Sequence, residues 1–255
     1  MRLDKYLAGH GFASRTKAAR ALEKGRVLVN GKAGRASQEV SEADRIEILE
    51  EPIAFVSEGG FKLYKALQDF SESVQGLACI DLGASTGGFT DCLLKSGAKC
   101  VYAVDVGESQ LDAALAADPR VCVMDRKNAR YLTKEDFPTQ ADVVTADLSF
   151  ISLAYILPVV AALLEKDGKA YVLIKPQFEC GGKGQDKHGI VKDKKLHESI
   201  VTRVCETAEK LNLAPQKLTN APLRERKNTE YVLLLKKGGK TADMADLLQA
   251  VRDPD

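Results

Sequence analysis

The feature that most constrains this 255-residue sequence is an apolar strand that ends in an acid and turns through glycines into a helix, between Ile80 and Asp91. Glycine lets the backbone reach positive φ and lets a ligand come close, and the helix that begins near Gly87 directs unpaired N–H groups at whatever lies over the turn. A second acid, Asp105, follows the next apolar run, twenty-two residues after Gly83, which is about where the acceptor for a ribose hydroxyl lies in nucleotide-binding units. The spacing therefore predicts a pocket for a cofactor that contains adenosine.

The glycine pattern of this turn distinguishes between two cofactors. A pyrophosphate needs close backbone approach through Gly-x-Gly-x-x-Gly, but here Ser85 stands in place of the middle glycine. S-adenosylmethionine has no phosphate, so its sites tolerate an acid at the strand end, Asp81, and a looser turn around the amino-acid half. The sequence favours a methyltransferase that uses S-adenosylmethionine. A NAD-dependent oxidoreductase and an ordinary turn without a ligand stay open as alternatives.

The candidate cofactor residues follow from their positions along the predicted strands and turns. Around the methionine half we expect Asp81, Gly83, Ser85 and Gly87, and we assign Ala84, Gly88 and Phe89 to the same cofactor pocket. At the adenosine ribose we expect Asp105 with Val106. Asp125 and Asn128 are expected near the adenine, on the sole ground that they follow the third strand, and Asp125 could equally be a turn residue. Asp147, after the fourth strand, is assigned to the same pocket.

Short apolar runs alternate with helical stretches from residue 77 onward, which predicts an α/β domain with a doubly wound, Rossmann-like sheet. The expected parallel strands are 77–82, 101–106, 121–124, 143–146 and 169–174, with helices between them. Runs at 216–221 and 231–235 predict a hairpin that forms an antiparallel edge. Ligands of such sheets bind at the carboxyl ends of the parallel strands.

Composition indicates a globular protein, with 45% apolar and 29% charged residues. The longest apolar stretch, 154–164, is interrupted by Pro158 and is shorter than the roughly 18 residues that a membrane span needs. No signal peptide is recognised, so we expect a cytoplasmic protein. The six cysteines form no Cys-x-x-Cys pair and the three histidines lie beside no nucleophile motif, so we expect buried free thiols and no metal site.

The first 35 residues are strongly basic, with nine Lys or Arg against two acids and hence a local net charge of +7. Ser14 is a good N-cap for the second of two short helices, Gly25 should end that helix, and Asn30-Gly31 is a strong hairpin signal. On so small a frame the basic side chains cannot all point inward, and phosphate is the natural counter-charge for the face that they form, although such a face can also be merely solvated. The small α+β domain is therefore predicted to bind RNA through Arg2, Lys5, Arg15, Lys17, Arg20, Lys24, Arg26 and Lys32.

Four polar residues are expected at the carboxyl edge of the sheet. Asp147 and Lys175 each follow an apolar strand, and Glu230 begins a strand that runs the opposite way. Lys62 opens a helix before the sheet and could fold over the same edge. Two neighbouring lysines lose proton affinity and carboxylates oppose that loss, so the set can tune one amine as a general base. Taken singly, each residue could instead be a helix cap, a strand end or a solvated surface residue.

Two resemblances together cover about residues 1–238. The start, from Arg2-Leu3-Asp4-Lys5-Tyr6-Leu7 to Gly25-Arg26-Val27-Leu28-Val29-Asn30-Gly31, resembles the S-four-like RNA-binding domain. Lys62, Asp147, Lys175 and Glu230 stand in the order of the Lys-Asp-Lys-Glu tetrad of FtsJ-type ribose 2′-O-methyltransferases. With Gly59-Gly60-Phe61-Lys62-Leu63, Asp147-Leu148-Ser149-Phe150 and Lys175-Pro176-Gln177-Phe178-Glu179, the chain resembles the TlyA family. The family commonly has arginine where this chain has Glu58.

The resemblance implies an enzyme that uses S-adenosylmethionine to methylate a ribose 2′-hydroxyl of ribosomal RNA, at a cytidine. In that reaction Lys175 would orient and deprotonate the hydroxyl, Asp147 would hold Lys175, and Lys62 with Glu230 would set the charge balance and grip the ribose. The implied partners are ribosomal RNA or ribosomal subunits, with no membrane and no obligate protein partner. Because members are described as hemolysins or as rRNA methyltransferases, a membrane-lytic protein stays open as an alternative, as does an RNA-binding protein without activity.

The resulting domain plan has an S-four-like domain at 1–50, a linker at 51–60, a methyltransferase domain at 61–238 and an unassigned tail at 239–255. Residues 181–195 contain five lysines, two aspartates and four glycines. We expect this segment to be mobile and positive, and either to close on RNA as a lid or to remain a plain surface loop.

Overall fold

The computed structural model describes residues 1–10, 12, 14–23, 27–41, 43–48, 54–222 and 227–253. The chain divides into two compact units, Met1–Ala54 and Phe55–Asp255. The division falls inside the 51–60 segment that we expected to be a linker, and a helix already begins at Glu58. Each unit contains its own apolar core.

The N-terminal unit combines two short helices with a three-stranded antiparallel sheet. The elements are α1 (Leu3–Gly9), α2 (Arg15–Glu23), β1 (Val27–Val29), β2 (Lys32–Ala33) and β3 (Ile46–Ile48), and the strand order is β2-β1-β3. Asn30 and Gly31 have φ of 52° and 76°, as a two-residue hairpin turn of type I′ requires. Leu3, Leu7 and Val27 are fully buried in the core. The predicted helices and hairpin are confirmed, whereas the predicted helix end at Gly25 lies outside the described residues.

The second unit is a seven-stranded sheet with helices on both faces. Its strands are β4 (Ala78–Leu82), β5 (Cys100–Val104), β6 (Val121–Met124), β7 (Ala141–Ala146), β8 (Leu164–Ile174), β9 (Leu213–Asn220) and β10 (Tyr231–Lys237). Its helices are α3 (Glu58–Phe70), α4 (Gly88–Lys95), α5 (Ala113–Ala116), α6 (Leu157–Leu163), α7 (Pro176–Glu179), α8 (Lys194–Glu209) and α9 (Met244–Arg252).

The strand order is β6-β5-β4-β7-β8-β10-β9, in which β4 to β8 are parallel and β10 runs antiparallel to both β8 and β9. The order of the parallel strands reverses between β4 and β7, so the chain leaves these neighbours toward opposite sides and opens a crevice at their carboxyl ends. The doubly wound sheet with an antiparallel edge hairpin is confirmed. The reversed strand β10 begins at the edge where β8 ends.

Three details differ from the prediction. The connection from β6 to β7 contains the 3-10 helices Ala129–Tyr131 and Lys134–Asp136 rather than an α-helix, because Asn128 and Thr133 cap these single turns. Strand β8 starts at Leu164 rather than at residue 169, and its pairing with β7 shifts register near Ala141. The tail, which we left unassigned, forms helix α9, whose buried leucine and valine side chains join the main core.

Alternate strand residues serve opposite faces of the sheet, because successive side chains of a strand point to opposite sides. On β8, Val172 and Ile174 belong to the core beneath α6, α8 and α9, whereas Tyr171 and Leu173 belong to the core beneath α3 and α4. This double burial explains why the strands are continuous apolar runs in the sequence. Polar side chains that can reach a ligand at the carboxyl edge therefore have to lie at the strand ends.

Tyr171 brings an unpaired hydroxyl into this core. Its side chain is fully buried, and its hydroxyl has no hydrogen-bond partner among the described residues. Burial raises the pKa of Tyr171, with smaller contributions from the charge of Glu72 and from Cys79. The hydroxyl has lost its hydration without gaining a protein partner, so it lowers the stability of the fold.

We therefore expect Tyr171→Phe to raise the free energy of unfolding by about 1 kcal/mol, measured by urea denaturation. The matched control is Tyr231→Phe, because the Tyr231 hydroxyl lies 2.8 Å from His197 Nδ1. Removing that hydroxyl leaves a buried ring nitrogen unpaired and should lower the free energy of unfolding by about 1–3 kcal/mol. A loss of stability in Tyr171→Phe would contradict the inference that the unpaired Tyr171 hydroxyl destabilises the fold.

The described residues contain no helix that is both long enough and apolar enough to cross a membrane. All six cysteines are free thiols, and Cys79, Cys92, Cys180 and Cys205 are buried. Cys122 is exposed, contrary to the expectation of burial, because it lies on β6 at the edge of the sheet.

Candidate active site

Four charged side chains meet at the carboxyl edge of the sheet. Asp147 follows β7, Lys175 follows β8, and Glu230 directly precedes β10. Tyr231 pairs with Ile174 across β10 and β8, so Glu230 emerges beside the end of β8. Lys62 reaches the same edge from the second turn of α3.

The four side chains form one connected group. Lys62 Nζ lies 2.7 Å from Glu230 Oε2 and 3.5 Å from Asp147 Oδ2. Lys175 Nζ lies 2.6 Å from Asp147 Oδ1, at an angle outside hydrogen-bond geometry, so this buried oxygen has no hydrogen-bond donor among the described residues. Each of the four side chains is only 10–18% exposed. The structure thus brings together the four residues that the sequence placed at this edge.

The group is balanced in charge, with two ammonium groups against two carboxylates. Such pairing offsets the cost of removing charges from water, which is large for an unpaired charge at this burial. Lys175 Nζ also donates to Ser149 Oγ at 3.0 Å, a contact that the sequence did not reveal. Asp147 and Ser149 therefore fix the ammonium of Lys175 from two sides, and this ammonium is the group that the residue presents to the crevice.

The glycine turn between β4 and α4 lies next to this group. Gly83, Ser85 and Gly87 have φ of 83°, 49° and 99°, so the turn needs left-handed backbone at three positions. Asp105, after β5, accepts a backbone hydrogen bond from Ser85 at 2.8 Å and one from Gly107 at 2.7 Å. Both oxygens of Asp105 keep a further lone pair, so the carboxylate is held in place and can still accept from a ligand.

Two small cavities adjoin the turn, each of about 190 Å³, and they share Gly83 and Ser149. The first is lined by Ser57, Gly59, Gly83, Ala84, Ser85, Thr86, Gly88, Phe89, Asp147, Ser149 and Lys175. The second is lined by Gly83, Val104, Asp105, Val106, Lys127, Asn128, Ala129, Leu148, Ser149, Ile151 and Ile156. Nine of the twelve predicted cofactor residues therefore border this crevice, and Asp81, Gly87 and Asp125 do not.

Asp81 lies beneath the crevice and not in its wall. Its side chain is fully buried and accepts hydrogen bonds from Thr90 Oγ1 at 2.7 Å and Thr145 Oγ1 at 2.8 Å. Burial raises the pKa of Asp81 to about 6, partly opposed by these two hydrogen bonds. Because Asp81 lies within β4 and not after it, α4 and β7 cover its side chain, which links the three elements together.

The other two residues outside the cavity walls have local structural roles. A Cβ on Gly87 would lie 2.4 Å from the Leu115 side chain, so this residue faces the apolar core and serves as the left-handed N-cap of α4. Asp125 accepts the backbone N–H of Ser109 at 2.9 Å, which fits the turn alternative. Asn128 caps the 3-10 helix Ala129–Tyr131 and also lines the second cavity.

The N-termini of α3 and α4 cross in close contact beside the first cavity. A Cβ on Gly88 would lie 2.3 Å from Ser57 Oγ, 2.8 Å from the backbone nitrogen of Gly60 and 3.0 Å from Gly59 Cα. Only glycine therefore allows the two helices to approach this closely. Sequence reasoning missed this contact, although Gly59-Gly60 and Gly87-Gly88 are its visible signal.

A larger cavity of about 630 Å³ opens on the other side of the charged group and is bordered by Lys62, Gln177 and Glu230. Phe150 also lines it, with a side chain that is 90% exposed and a φ of 63°. A bulky residue rarely adopts this backbone conformation, so the surrounding structure must hold Phe150 in it. Another cavity, of about 680 Å³ along the edge strand β9, contains none of the four charged residues.

Residues 181–192 form a turn closed by hydrogen bonds, and Lys194 and Lys195 already belong to α8. The expected mobility of this segment stays a prediction. Gln185 and Val191 form a bridge, and Asp186 accepts backbone hydrogen bonds from His188 and Ile190. The side-chain amide of Asn228 stabilises the turn with both of its polar atoms. Its Oδ1 accepts a hydrogen bond from Val191 N at 2.8 Å, and its Nδ2 donates to the carbonyl of Gly189 at 3.0 Å. A lid role for this segment stays a prediction.

In the N-terminal unit, part of the predicted basic face is paired internally. Arg2 and Arg15 contact Asp4 at 3.2 and 2.6 Å, and these hydrogen bonds lower the pKa of Asp4 to about 2. Both arginine side chains remain more than half exposed, and Lys5, Lys17 and Lys32 are exposed. Lys24, Arg26 and the side chain of Arg20 lie outside the described residues.

Comparison with known proteins gives two family matches. Residues 55–237 match the family of FtsJ-like methyltransferases, and residues 1–46 match the S4 domain. The 16S/23S rRNA (cytidine-2′-O)-methyltransferase TlyA of Mycobacterium tuberculosis is 41% identical over 240 residues, which are 92% of this chain and 89% of that protein. Hemolysin A of Brachyspira hyodysenteriae is 40% identical over 236 residues, 91% of this chain and 98% of that protein. A solved structure called "Putative hemolysin from Streptococcus thermophilus" superposes with a TM-score of 0.74 at 34% identity, over 99% of this chain and 95% of that one.

Proposed function

This chain belongs to the TlyA family of FtsJ-like methyltransferases, and we propose that it transfers a methyl group from S-adenosylmethionine to a ribose 2′-hydroxyl of ribosomal RNA, at a cytidine. The observation that carries the proposal is the meeting of Lys62, Asp147, Lys175 and Glu230 beside the glycine turn. The cytidine is proposed from the activity for which the M. tuberculosis relative is named.

The residues of the crevice fit S-adenosylmethionine. The apolar side chains of Val104, Ile151 and Ile156 suit an adenine ring, and Asp105 suits a ribose diol, in the second cavity. The first cavity has backbone at Gly83 and Gly88, where side chains would collide with Asp147 and Ser57 and so close the space. When bound there, the cofactor supplies a methyl group that its sulfonium already activates.

The enzyme then has to place a ribose oxygen in line and take its proton. Lys175 is proposed to orient the 2′-hydroxyl and, as a free amine whose ammonium has first released a proton to solvent, to take up the hydroxyl proton. The residue lines the first cavity, and Asp147 and Ser149 hold its Nζ in place. Asp147 contacts both Lys175 and Lys62, so it keeps the two amines at fixed positions relative to the acceptor hydroxyl. Lys62 and Glu230 are proposed to grip the ribose from the side of the larger cavity.

The larger cavity is proposed to receive the acceptor nucleotide. The exposed ring of Phe150 lies with its centroid 5.0 Å from that of Phe178, which lines the same cavity. Exposed aromatic rings provide stacking surfaces for unpaired bases. The exposed lysines and arginines of the N-terminal unit are proposed to contact the phosphates of the same RNA. Because ribosomal RNA is the proposed substrate, we place the activity in the cytoplasm.

The test is incubation with labelled S-adenosylmethionine and ribosomal RNA, supplied as free RNA, as subunits and as assembled ribosomes. We expect incorporation into at least one of these, and mapping should find the label on a cytidine ribose. Labelling of a base instead of a ribose would contradict the assignment of the four charged residues. Binding of RNA with no transfer in any form would favour an RNA-binding protein without activity.

A further inference from the structure

Gln177 contacts the charged group from a position that sequence reasoning did not single out. It lies on α7, two residues after Lys175, and Glu230 lies at the start of the neighbouring strand β10. Its amide nitrogen Nε2 donates to Glu230 Oε1 at 3.2 Å. Lys62 Nζ donates to the other oxygen, Oε2, at 2.7 Å. Each oxygen of the Glu230 carboxylate therefore has its own donor.

The orientation of the Gln177 amide follows from chemistry. An ionised carboxylate can only accept hydrogen bonds, so the NH₂ group of Gln177 must face Glu230 and its carbonyl oxygen must face away. That carbonyl oxygen, Oε1, is buried and has no hydrogen-bond partner among the described residues. A buried acceptor without a donor lowers stability, and such groups persist in proteins where function requires them.

We propose that Gln177 is a positioning residue that holds the Glu230 carboxylate at a fixed angle and thereby holds Lys62 against Asp147. A neutral donor suits this role, because it fixes Glu230 without changing the balance of two positive and two negative charges. With Lys62 as its sole donor, the carboxylate could pivot about that contact and draw the amine away from Asp147, which is 3.5 Å from Lys62 Nζ. The inference rests on the proposed function of the same site.

The test variant is Gln177→Met, which keeps the length of the side chain and removes both amide atoms. We expect kcat for methyl transfer to fall about 10-fold, the effect of one hydrogen bond to a charged group, with KM for RNA and cofactor affinity little changed. The acidic limb of the pH–rate profile should move to higher pH, because the carboxylate loses a hydrogen bond to its charged form. The other charged or titratable groups around Glu230 are Lys62, Asp147 and Lys175, with His188 and Lys227 in the cavity wall.

Measurements of thermal stability distinguish the positioning role of Gln177 from a role in packing alone. The melting temperature of Gln177→Met should change little, because the variant loses an unpaired buried carbonyl but also leaves Glu230 Oε1 without its donor. The control is Gln140→Met: Gln140 precedes β7, at the opposite edge of the sheet from Glu230, and its amide donates to the backbone carbonyls of Ala162 at 3.0 Å and Leu164 at 3.1 Å. We expect Gln140→Met to keep the wild-type kcat and pH profile. A wild-type kcat and pH profile in Gln177→Met, or a fall in its kcat only in parallel with lost stability, would overturn the proposal.

A second measurement needs no RNA and so separates this inference from the proposed function. The Lys62 ammonium should give a slowly exchanging signal in ¹⁵N NMR spectra of the wild type, because its protons are held by Glu230. In Gln177→Met that signal should broaden, and in Gln140→Met it should not. If wild-type protein methylates no RNA but the Lys62 signal responds in this way, the proposed function fails and the positioning role stands. If the signal is unchanged in Gln177→Met, the positioning role fails.

Discussion

A Lys175→Met protein is expected to transfer methyl groups about 10³-fold more slowly than the wild type while it still folds and binds S-adenosylmethionine. In the wild type, Lys175 Nζ lies 2.6 Å from Asp147 Oδ1 and 3.0 Å from Ser149 Oγ, in the wall of the first cavity. Methionine fills the same space but can neither orient a hydroxyl nor take up its proton. Single-turnover assays with labelled cofactor measure the rate, and calorimetry measures cofactor binding.

The matched control is Lys169→Met on the same strand. Lys169 contacts Glu72 from the middle of β8, six residues before Lys175 and away from the carboxyl edge, so its loss should leave the rate of methyl transfer unchanged. A Lys175→Met protein that folds, binds cofactor and methylates at the wild-type rate would remove Lys175 from the mechanism. A loss of cofactor binding in that variant would instead give Lys175 a role in the cofactor site.

Gly88→Ala is expected to weaken cofactor binding about 100-fold and to lower the free energy of unfolding by about 2 kcal/mol. Alanine is intrinsically the better helix residue, so any loss must come from the tertiary contact. The added Cβ would lie 2.8 Å from the backbone nitrogen of Gly60 and 3.0 Å from Gly59 Cα, and backbone atoms cannot rotate away. The N-termini of α3 and α4 would separate, which deforms the first cavity and moves Lys62. Calorimetry and urea denaturation measure the two effects.

Gly59→Ala adds the same methyl group on the opposite side of this helix contact. Its Cβ would lie 3.5 Å from the nearest atom, on the Phe89 side chain, which is an ordinary packing distance. The free energy of unfolding should therefore remain at the wild-type value or rise by up to about 1 kcal/mol. Equal losses of stability in Gly59→Ala and Gly88→Ala would show that the contact between the two helices is not as close as described.

The charged group could be located from the sequence because each member has a simple positional signal. Asp147 and Lys175 directly follow apolar strands, and the carboxyl ends of parallel strands meet at one edge. Glu230 precedes a strand that pairs antiparallel, so it starts at that same edge. The glycine turn was visible for a similar reason, since its backbone requires residues that tolerate positive φ.

Other parts of the site depend on contacts between distant segments and leave little trace in the sequence. Asp81 was assigned to the cofactor, yet Thr90 and Thr145 enclose it, because a residue inside a strand is covered by neighbouring elements. The unusual backbone of Phe150 and the hydrogen bond from Gln177 to Glu230 are likewise set by tertiary packing. Helix α9 was not predicted, because its apolar residues become recognisable as a core face only when the helix packs on β9 and α8.

The contacts among the four charged side chains run in a single line, from Glu230 to Lys62, then Asp147, then Lys175. Loss of any one link leaves a neighbour with an unbalanced charge in a nearly dry environment, which is costly. A substitution at one of the four positions therefore removes most of the benefit of keeping the other three, so selection acts on the four residues jointly. Descendants that have abandoned the reaction should show decay at all four positions together, and lineages that keep it should preserve them as a block.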